Sequence, residues 1–210
     1  MDITETVGMV GLGNMGHPIA LNLIEAGYRV VGYEIDVNRW KPTDQLSYLE
    51  NLETLANKTT VMLLSLPDGS AVQEVVGELS TFNLPHTLAV VDTSTIGTKA
   101  SQAIGHSVRN TRLEYLDSPV SGGVRGAVAG TLAVMCAGSK NLYNSVLPIL
   151  TTFTANQFLI GPQPGQAQTV KVLNNFLSAT ALAASCEALQ FGQSQGLDLK
   201  TMCEVINVST

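Results

Sequence analysis

Residues Val7–Gly16 read V-G-M-V-G-L-G-N-M-G and carry the most specific structural signal in this chain of 210 residues. A short apolar run leads into a G-x-G-x-x-G turn, and an apolar pattern with helical spacing follows it as far as Ile24. The turn consists of Gly11, Leu12, Gly13, Asn14, Met15 and Gly16. A strand, a glycine turn and a helix in this order predict a loop that binds a dinucleotide.

The three glycines of this turn have different physical roles. Gly11 allows the tight turn, Gly13 lets a pyrophosphate approach the backbone, and Gly16 lets the helix pack close to the strand. The helix N-terminus offers N–H groups and the positive end of a dipole to the anion. Glycine-rich turns also join strands to helices without binding a ligand. A turn of that kind is the alternative here.

The composition predicts one folded α/β domain and part of a second. Hydrophobic residues make up 45% of the sequence and charged residues 13%, which is enough apolar material for a substantial core. The net charge of −6 argues against nucleic-acid binding, and no apolar run reaches the about 20 residues of a membrane span. The N-terminus lacks signal- and transit-peptide features, so we expect a cytoplasmic protein. The three cysteines show no metal-ligand spacing and are expected to be reduced and mostly buried: Cys136, Cys186 and Cys203.

Strand and helix patterns alternate through the first part of the chain. Strands are expected near residues 6–11, 29–34, 60–65, 88–92, 113–117 and 131–137. Helices are expected near residues 14–26, 68–79, 98–109 and 139–150. This order predicts an α/β fold with a Rossmann-type doubly wound parallel sheet, whose ligand lies at the carboxyl ends of the strands. Between Asn38 and Leu49, Pro42 and weak periodicity predict a short or irregular connection.

The sequence changes character after Ile160, where G-P-Q-P-G-Q forms a turn-rich break. One long, Ala-rich helix is expected to follow as far as about Gln195, and Gly196 to end it. Asp198 is expected to cap a last helix. We therefore expect an NAD-binding domain over residues 1–162 and the start of an all-α second domain over residues 163–210.

Glu34 ends the second expected strand, about twenty residues past the glycine turn, where an acidic side chain accepts hydrogen bonds from ribose hydroxyls. Its charge also repels a 2′-phosphate, which favours NAD over NADP. Asp36 is a possible substitute, and Arg39 could instead receive the phosphate. Glu34 could also be a solvated charge with no ligand. The loops that begin at Ser65, Asp92 and Asp117 share the same edge of the sheet, and their small hydroxyls and N–H groups suit a nicotinamide riboside.

Two clusters are candidates for the reacting site. The segment from Ser121 to Thr131 has four glycines, beginning with Gly122 and Gly123, and its N–H groups could bind a substrate carboxylate. A flexible crossover loop is the alternative. The second cluster is Lys171, Asn174 and Asn175, which helical spacing places on one face. Lys171 could exchange a proton with a reacting oxygen, or it could simply extend to solvent.

Three segments together resemble the β-hydroxyacid dehydrogenase family, the relatives of 3-hydroxyisobutyrate dehydrogenase. G-L-G-N-M-G-H-P-I-A is similar to the family's N-terminal signature, D-S-P-V-S-G-G-V-R-G-A-V-A-G-T-L to its substrate loop, and G-Q-A-Q-T-V-K-V-L-N-N to its catalytic motif. The resemblance implies NAD(P)-dependent interconversion of a small 3-hydroxy acid and its semialdehyde or keto acid. Ala167 departs from the pattern, since the family has a glycine there.

The resemblance also implies roles for individual residues. Lys171 is the proton donor and acceptor, and Asn175 orients the substrate and the lysine. The substrate carboxylate is bound by Ser121, Gly122 and Gly123, with Asn174 beside the substrate. The nicotinamide is bordered by Leu66, Pro67 and Thr95. Family members continue past Thr210 with further helices that build a dimer interface, so we expect a homo-oligomer formed through the C-terminal helices.

The main alternative is a catalytically incomplete NAD-binding module or scaffold, because the chain ends early in the expected helical domain. The Lys171, Asn174 and Asn175 face argues against it, since a scaffold has no use for that trio. Among enzymes, an imine reductase or a phosphogluconate dehydrogenase is also possible. The latter is disfavoured because no basic cluster for a sugar phosphate is visible.

Overall fold

A computed structural model describes residues 6–36 and 46–209, which form two compact units. The first unit ends at Lys171 and contains a sheet flanked by helices, and the second begins at Val172 and is helical. Within these two described ranges, no helix combines the length and the apolar composition that a membrane span requires.

Strands and helices alternate through the first unit, as the sequence predicts. The strands are β1 (Thr6–Val10), β2 (Arg29–Tyr33), β3 (Ser47–Tyr48), β4 (Val61–Leu64), β5 (Leu88–Asp92), β6 (Leu113–Asp117), β7 (Val120–Ser121), β8 (Leu132–Ala137) and β9 (Thr154–Gly161). The helices are α1 (Gly16–Glu25), α2 (Leu52–Lys58), α3 (Gly69–Leu79), α4 (Thr98–Ser107), α5 (Gly123–Ala129), α6 (Lys140–Leu150), α7 (Gln166–Ser194) and α8 (Leu199–Ser209).

The described strands form one sheet in the order β3-β2-β1-β4-β5-β6-β8-β7, with β9 paired to β8. Strands β1 to β6 are parallel, and the order changes direction at β1, which has β2 on one side and β4 on the other. This is the doubly wound Rossmann arrangement, whose ligand site lies at that switch point. Strand β8 runs antiparallel to β6 and β7, so the parallel sheet extends only as far as β6.

Apolar side chains fill both faces of the sheet, as a parallel sheet between two helical layers requires. Along β4, Val61 and Leu63 join the core beneath α1 and α6. Met62 and Leu64 join the opposite core beneath α2, α3 and α4. The alternation arises because successive strand side chains point to opposite faces. Both faces are therefore occupied by packing, and the loops at the strand ends are left to carry the site.

Close packing requires two of the three glycines in the glycine turn. Gly11 has φ 86°, and a Cβ there would overlap the carbonyl oxygen of Ser65. A Cβ on Gly16 would overlap the carbonyl oxygen of Gly11 and lie 2.8 Å from Met9 Cε. The expected roles of Gly11 in the tight turn and of Gly16 in close packing are therefore confirmed.

Several short elements differ from the expectations. The segment after Ser121, expected as a glycine-rich loop, folds into α5, with Gly122 at its start in a positive-φ conformation of 126°. Strands β3 and β7 have two residues each, too few for an alternating pattern to show. The end of the predicted irregular connection forms β3, whereas most of that connection, including Pro42 and Arg39, lies outside the described residues.

The second unit consists of the greater part of α7 and helix α8. Helix α7 is followed by Gly196 with φ 80°, which confirms the predicted stop. Asp198 caps α8, because its carboxylate accepts a hydrogen bond from the Thr201 N–H at 2.8 Å. Large apolar side chains are exposed along α7, among them Phe176 and Phe191.

The cysteines correct one expectation about burial. Cys136 is buried, but Cys186 on α7 is exposed and Cys203 on α8 is half-buried. Helix α7 has apolar side chains on its exposed surface. The apolar sequence around Cys186 therefore did not indicate that this cysteine is buried. All three cysteines are free thiols.

Replacing Gly16 tests the contact between the turn and α1. We expect Gly16→Ala to lower the unfolding free energy by about 1–3 kcal/mol, since the added methyl group must displace the Gly11 carbonyl. Gly77→Ala is the matched control, because Gly77 lies in α3 with open space around it and alanine favours a helix by about 0.5–1 kcal/mol. Urea unfolding of both variants decides the point, and equal stability of the two would contradict the packing account.

Candidate functional site

The parallel strands end level with one another at a single edge of the sheet. Val10 is paired with Leu64, Leu64 with Asp92, and Asp92 with Asp117. The glycine turn and the loops after β4, β5 and β6 therefore begin side by side. The expectation that these loops share one edge is confirmed, and in a doubly wound sheet this is the edge that binds ligands.

The glycine turn presents free backbone donors at this edge. Among the described residues, the N–H groups of Gly13, Asn14 and Met15 make no hydrogen bond. A Cβ built on Gly13 would meet no atom within 4 Å, and Gly13 does not have a positive φ. A cavity of about 840 Å³ adjoins the turn and is lined in part by Leu12, Gly13, Asn14, His17 and Val128. Neither packing nor backbone conformation therefore requires a glycine at position 13.

Glu34 follows β2 and is bonded to the glycine turn. Its Oε2 accepts the Leu12 N–H at 2.8 Å, and its Oε1 accepts the Asp36 N–H at 3.0 Å. The Glu34 side chain is buried. It is therefore not a solvated strand-end charge, and it holds a carboxylate beside the turn. A carboxylate has about four acceptor positions, so these two bonds leave capacity for further donors.

The hydroxyl groups after β4, β5 and β6 are used mainly inside the protein. Thr93 Oγ1 donates to the Leu64 carbonyl at 2.6 Å, and Ser94 Oγ accepts the Leu66 N–H at 2.9 Å. Ser118 is also buried. The expectation that small hydroxyls line a ligand is therefore wrong for these three residues. Thr95 and Pro67 are exposed, and Leu66 is half-buried.

Asp92 is a buried carboxyl group at the end of β5. Tyr115 Oη donates to its Oδ2 at 2.8 Å, and the Ser94 N–H donates to its Oδ1 at 2.9 Å. Burial raises the pKa of Asp92 from 3.8 to about 6, against the opposing effect of the hydrogen bonds, and the neighbouring charge of Asp117 adds to the increase. This acid is therefore an internal group that ionises only at a cost to the fold.

Asp117 and Gln168 form a second buried polar cluster, where β6 meets the start of α7. Asp117 Oδ2 accepts the N–H groups of Gly165 at 2.8 Å and Gln168 at 3.3 Å, and its Oδ1 accepts Gln168 Nε2 at 2.8 Å. The Gln168 amide also donates to the Ser94 carbonyl and accepts from the loop that follows Thr95. Burial raises the pKa of Asp117, while these hydrogen bonds oppose the increase.

Lys171 lies one helical turn after Gln168 and is 8% exposed. Burial lowers the pKa of its ammonium group below the usual 10.5, and no neighbouring charge offsets this effect. Within the described residues the ammonium group has no ion-pair partner. Lys171 therefore does not extend to solvent, and its buried amine is a candidate for proton transfer.

The other expected site residues are more exposed. Ser121 is half-buried at the end of β7, and Gly122 and Gly123, with φ 126° and 62°, open α5. A Cβ on Gly123 would meet no atom within 4 Å, so open space lies beside this backbone. Asn174 and Asn175 belong to the second unit, where Asn174 is half-buried and Asn175 is exposed.

Gln168 is the polar residue at this edge that sequence reasoning missed. It lies within the segment G-Q-A-Q-T-V-K-V-L-N-N, whose resemblance implied roles only for Lys171, Asn174 and Asn175. The available signal was its spacing, because a glutamine three residues before a lysine lies on the same face of a helix. Ala167, which replaces the family's glycine, is fully buried against Met135 and Ala137, so its methyl group is accommodated.

The sheet order and the open glycine turn define a dinucleotide-binding domain of the Rossmann type. Residues 6–161 match the sequence family described as the NAD binding domain of 6-phosphogluconate dehydrogenase. Residues 165–210 match the family described as NAD-binding of NADP-dependent 3-hydroxyisobutyrate dehydrogenase. The chain belongs to the β-hydroxyacid dehydrogenase family.

Individual relatives carry related names. The chain is 34% identical to the probable mitochondrial 3-hydroxyisobutyrate dehydrogenase of Arabidopsis thaliana, covering 98% of this chain and 64% of that protein. It is 32% identical to the L-threonate dehydrogenase of Escherichia coli K12, covering 95% and 68%, respectively. It is 30% identical to the 2-(hydroxymethyl)glutarate dehydrogenase of Eubacterium barkeri, covering 100% and 71%. The chain therefore spans about two thirds of the length of these relatives.

Solved structures show the same fold. The 3-hydroxyisobutyrate dehydrogenase of Mycobacterium tuberculosis, determined with L-serine, superposes with a TM-score of 0.89 at 27% identity, covering 99% of this chain and 71% of that one. An imine reductase from Pseudomonas sp. superposes with a TM-score of 0.87 at 18% identity, covering 98% of this chain and 72% of that one. The second likeness concerns the fold alone.

The buried Asp92 predicts an unusual dependence of stability on pH. Between pH 3.8 and about 6 the carboxyl group ionises in the unfolded chain but stays protonated in the folded one, so stability falls as the pH rises. Relative to Asp92→Asn, the wild type should lose about 2 kcal/mol of unfolding free energy from pH 4 to pH 7. Urea titrations of both proteins over this range measure the difference.

Asp198→Asn is the control of opposite sign. Hydrogen bonds from Thr201 lower the pKa of Asp198, so this carboxylate adds stability above pH 3.8 and loses it as the pH falls. Parallel stability curves for wild type and Asp92→Asn would show that the Asp92 carboxyl group is not buried in the way described.

Proposed function

We propose that this chain carries the cofactor-binding and proton-transferring parts of an NAD-dependent dehydrogenase acting on small 3-hydroxy carboxylates. The observation that carries the proposal is Gly13. It has an ordinary φ and open space where a side chain would be, and its N–H group and those of Asn14 and Met15 make no hydrogen bond among the described residues. A pyrophosphate bound at the N-terminus of α1 accounts for all three features. The membership of the family supports the same interpretation.

Glu34 supports NAD rather than NADP as the cofactor. Its carboxylate is fixed at the end of β2 by the Leu12 and Asp36 N–H groups. A negative charge at this position accepts hydrogen bonds from ribose hydroxyls and disfavours a 2′-phosphate. Arg39, which could favour the phosphate, lies outside the described residues. Bound NAD would supply the two-electron hydride acceptor for the oxidation of an alcohol.

Lys171 is proposed as the group that takes the hydroxyl proton during oxidation and returns it during reduction. Burial lowers the pKa of its ammonium group, which raises the fraction of free amine at neutral pH. A general base works best when its pKa lies near the working pH. Oxidation should therefore become faster as the pH rises through the pKa of Lys171, and reduction should show the opposite trend.

The substrate carboxylate is assigned to the start of α5. The backbone at Gly122 and Gly123 turns with positive φ, and no side chain fills the space beside Gly123. Consecutive N–H groups in such a turn bind anions, and the Ser121 hydroxyl adds a further donor. Asn174, for the substrate, and Asn175, for orientation of the substrate and the lysine, are proposed from their spacing after Lys171 on α7.

Cofactor binding tests the role assigned to Gly13. We expect Gly13→Ala to weaken NAD binding at least about tenfold, which corresponds to about 1.4 kcal/mol, because the methyl group occupies the space of the pyrophosphate. Its unfolding free energy should not fall, since the methyl group meets no protein atom. Isothermal titration with NAD and NADP measures both affinity and preference, and unchanged NAD affinity in Gly13→Ala would remove the central support for the proposal.

Glu34→Gln is the companion variant for cofactor preference. A glutamine retains an oxygen for the Leu12 N–H but loses the negative charge. The ratio of the Kd for NADP to the Kd for NAD should therefore be smaller in this variant than in the wild type. A wild type that binds NADP more tightly than NAD would contradict the assignment of Glu34.

Turnover tests the role assigned to Lys171. The panel consists of 3-hydroxyisobutyrate, L-threonate and 2-(hydroxymethyl)glutarate, the substrates named by the relatives, and reduced cofactor is followed by absorbance. Lys171→Ala should lower kcat by about 10²- to 10⁴-fold without weakening NAD binding. Lys140→Ala, which alters an exposed lysine on α6, is the matched control.

The possible outcomes separate the two candidate functions. Turnover that survives in Lys171→Ala would exclude this lysine as the proton-transfer group. NAD binding by the wild type without turnover of any substrate would favour the alternative function, a cofactor-binding module.

A further inference from the structure

The Gln168 side chain is completely buried and uses its full hydrogen-bonding capacity. Its Oε1 accepts the N–H groups of Ile96 at 3.0 Å and Gly97 at 3.1 Å. Its Nε2 donates to the Ser94 carbonyl at 3.0 Å and to Asp117 Oδ1 at 2.8 Å. A carboxamide has two lone pairs and two N–H bonds, so none is left over.

These four bonds connect three segments that carry different parts of the site. The loop from Ser94 to Gly97 includes Thr95, which is assigned to the nicotinamide. Asp117 lies four residues before Ser121, which is assigned to the substrate carboxylate. Lys171 follows Gln168 by one turn of α7. Gln168 therefore links the loop assigned to the nicotinamide with Asp117 on the segment assigned to the substrate, one helical turn before Lys171.

The start of α7 is fixed next to this network by hydrogen bonds and close packing. Asp117 Oδ2 accepts the N–H groups of Gly165 and Gln168, which caps the helix. Thr169 Oγ1 lies 3.0 Å from Thr98 Oγ1 on α4. A Cβ on Gly165 would lie 2.9 Å from the Thr98 carbonyl oxygen, so the chain approaches α4 as closely as a glycine allows.

We propose that Gln168 and Asp117 are positioning residues that fix Lys171 relative to the nicotinamide loop and the substrate segment. The proposal rests on the proposed function, because the three segments have a common purpose only in a dehydrogenase. Neither residue is assigned a contact with the cofactor or substrate. A displacement of about 1 Å is enough to slow a reaction by about a hundredfold, so loss of the network should reduce kcat more than it reduces binding.

Asp117→Asn is the primary test variant. An asparagine oxygen still caps α7 through the Gly165 and Gln168 N–H groups, but its amide nitrogen opposes Gln168 Nε2, since both are donors. We expect kcat to fall by about tenfold to a hundredfold, with the KM for NAD within about twofold of wild type. Gln168→Leu, which removes all four side-chain bonds, should have a larger effect in the same direction. Asp198→Asn makes the same change at the cap of α8 and should leave kcat unchanged.

A second readout is independent of turnover. NMR of the lysine side-chain amines, assigned with Lys171→Arg, gives the pKa of Lys171 directly. If the network holds Lys171 in its buried position, Asp117→Asn should raise this pKa toward the ordinary lysine value, and Asp198→Asn should not. If the wild type turns over no hydroxy acid, the proposed function fails while the change in the Lys171 pKa still decides whether the network positions the lysine.

Three results would overturn the proposal. The first is a folded Asp117→Asn protein with the kcat and the Lys171 pKa of wild type. The second is an equal loss of kcat in Asp198→Asn, which would indicate a general effect of stability. The third needs no variant and applies even if the variants fail to fold: rapid hydrogen exchange of the Ile96 and Gly97 N–H groups in the wild type would show that Gln168 does not hold the loop.

Discussion

The register of the parallel strands is the constraint on which the site depends. Hydrogen bonding across the sheet makes Val10, Leu64, Asp92 and Asp117 end level with one another. Side chains fill both faces of this sheet, so a ligand can be met only by the loops at its edge. A shift in the register of one strand would exchange the side chains that it presents to the two packed faces and would separate its loop from the others. The backbone geometry of the sheet therefore brings together the loops to which the proposed function assigns cofactor and substrate, before any individual side chain contributes.

The polar groups at this edge divide into those that serve the fold and those that remain available to a ligand. Thr93, Ser94 and Ser118 are buried, and the hydroxyls of Thr93 and Ser118 donate to backbone carbonyls. In the described residues, the N–H groups of Gly13, Asn14 and Met15 make no hydrogen bond, and the Lys171 ammonium group has no ion-pair partner. A buried donor without a partner lowers stability, which the fold tolerates mainly where function benefits. This division favours the glycine turn and Lys171 as the working parts of the site.

Sequence reasoning predicted what depends on local patterns and missed what depends on distant partners. Helix α1 and strands β1 to β6, except β3, follow from runs of apolar residues and from the glycine turn. Strands β3 and β7 are too short to have a pattern, and α5 was hidden because glycines weaken any prediction of a helix. The role of Gln168 could not be read from its neighbours, since its side-chain partners lie 51 to 74 residues away in the chain. Sequence spacing placed Lys171 on its helix, but only the fold shows that it is buried.

The physical reason for a glycine at position 13 differs from the reason at positions 11 and 16. Replacing Gly11 or Gly16 would disturb the folded protein itself, so selection for stability alone is sufficient to preserve them. An alanine at position 13 would meet no atom of the protein within 4 Å, so under the proposed function the bound dinucleotide is what penalises it. In a lineage that stopped using the dinucleotide, position 13 would drift while its two neighbours stayed fixed. Under the proposed function, the residue at position 13 thus distinguishes a descendant that still binds the cofactor from one that has kept only the fold.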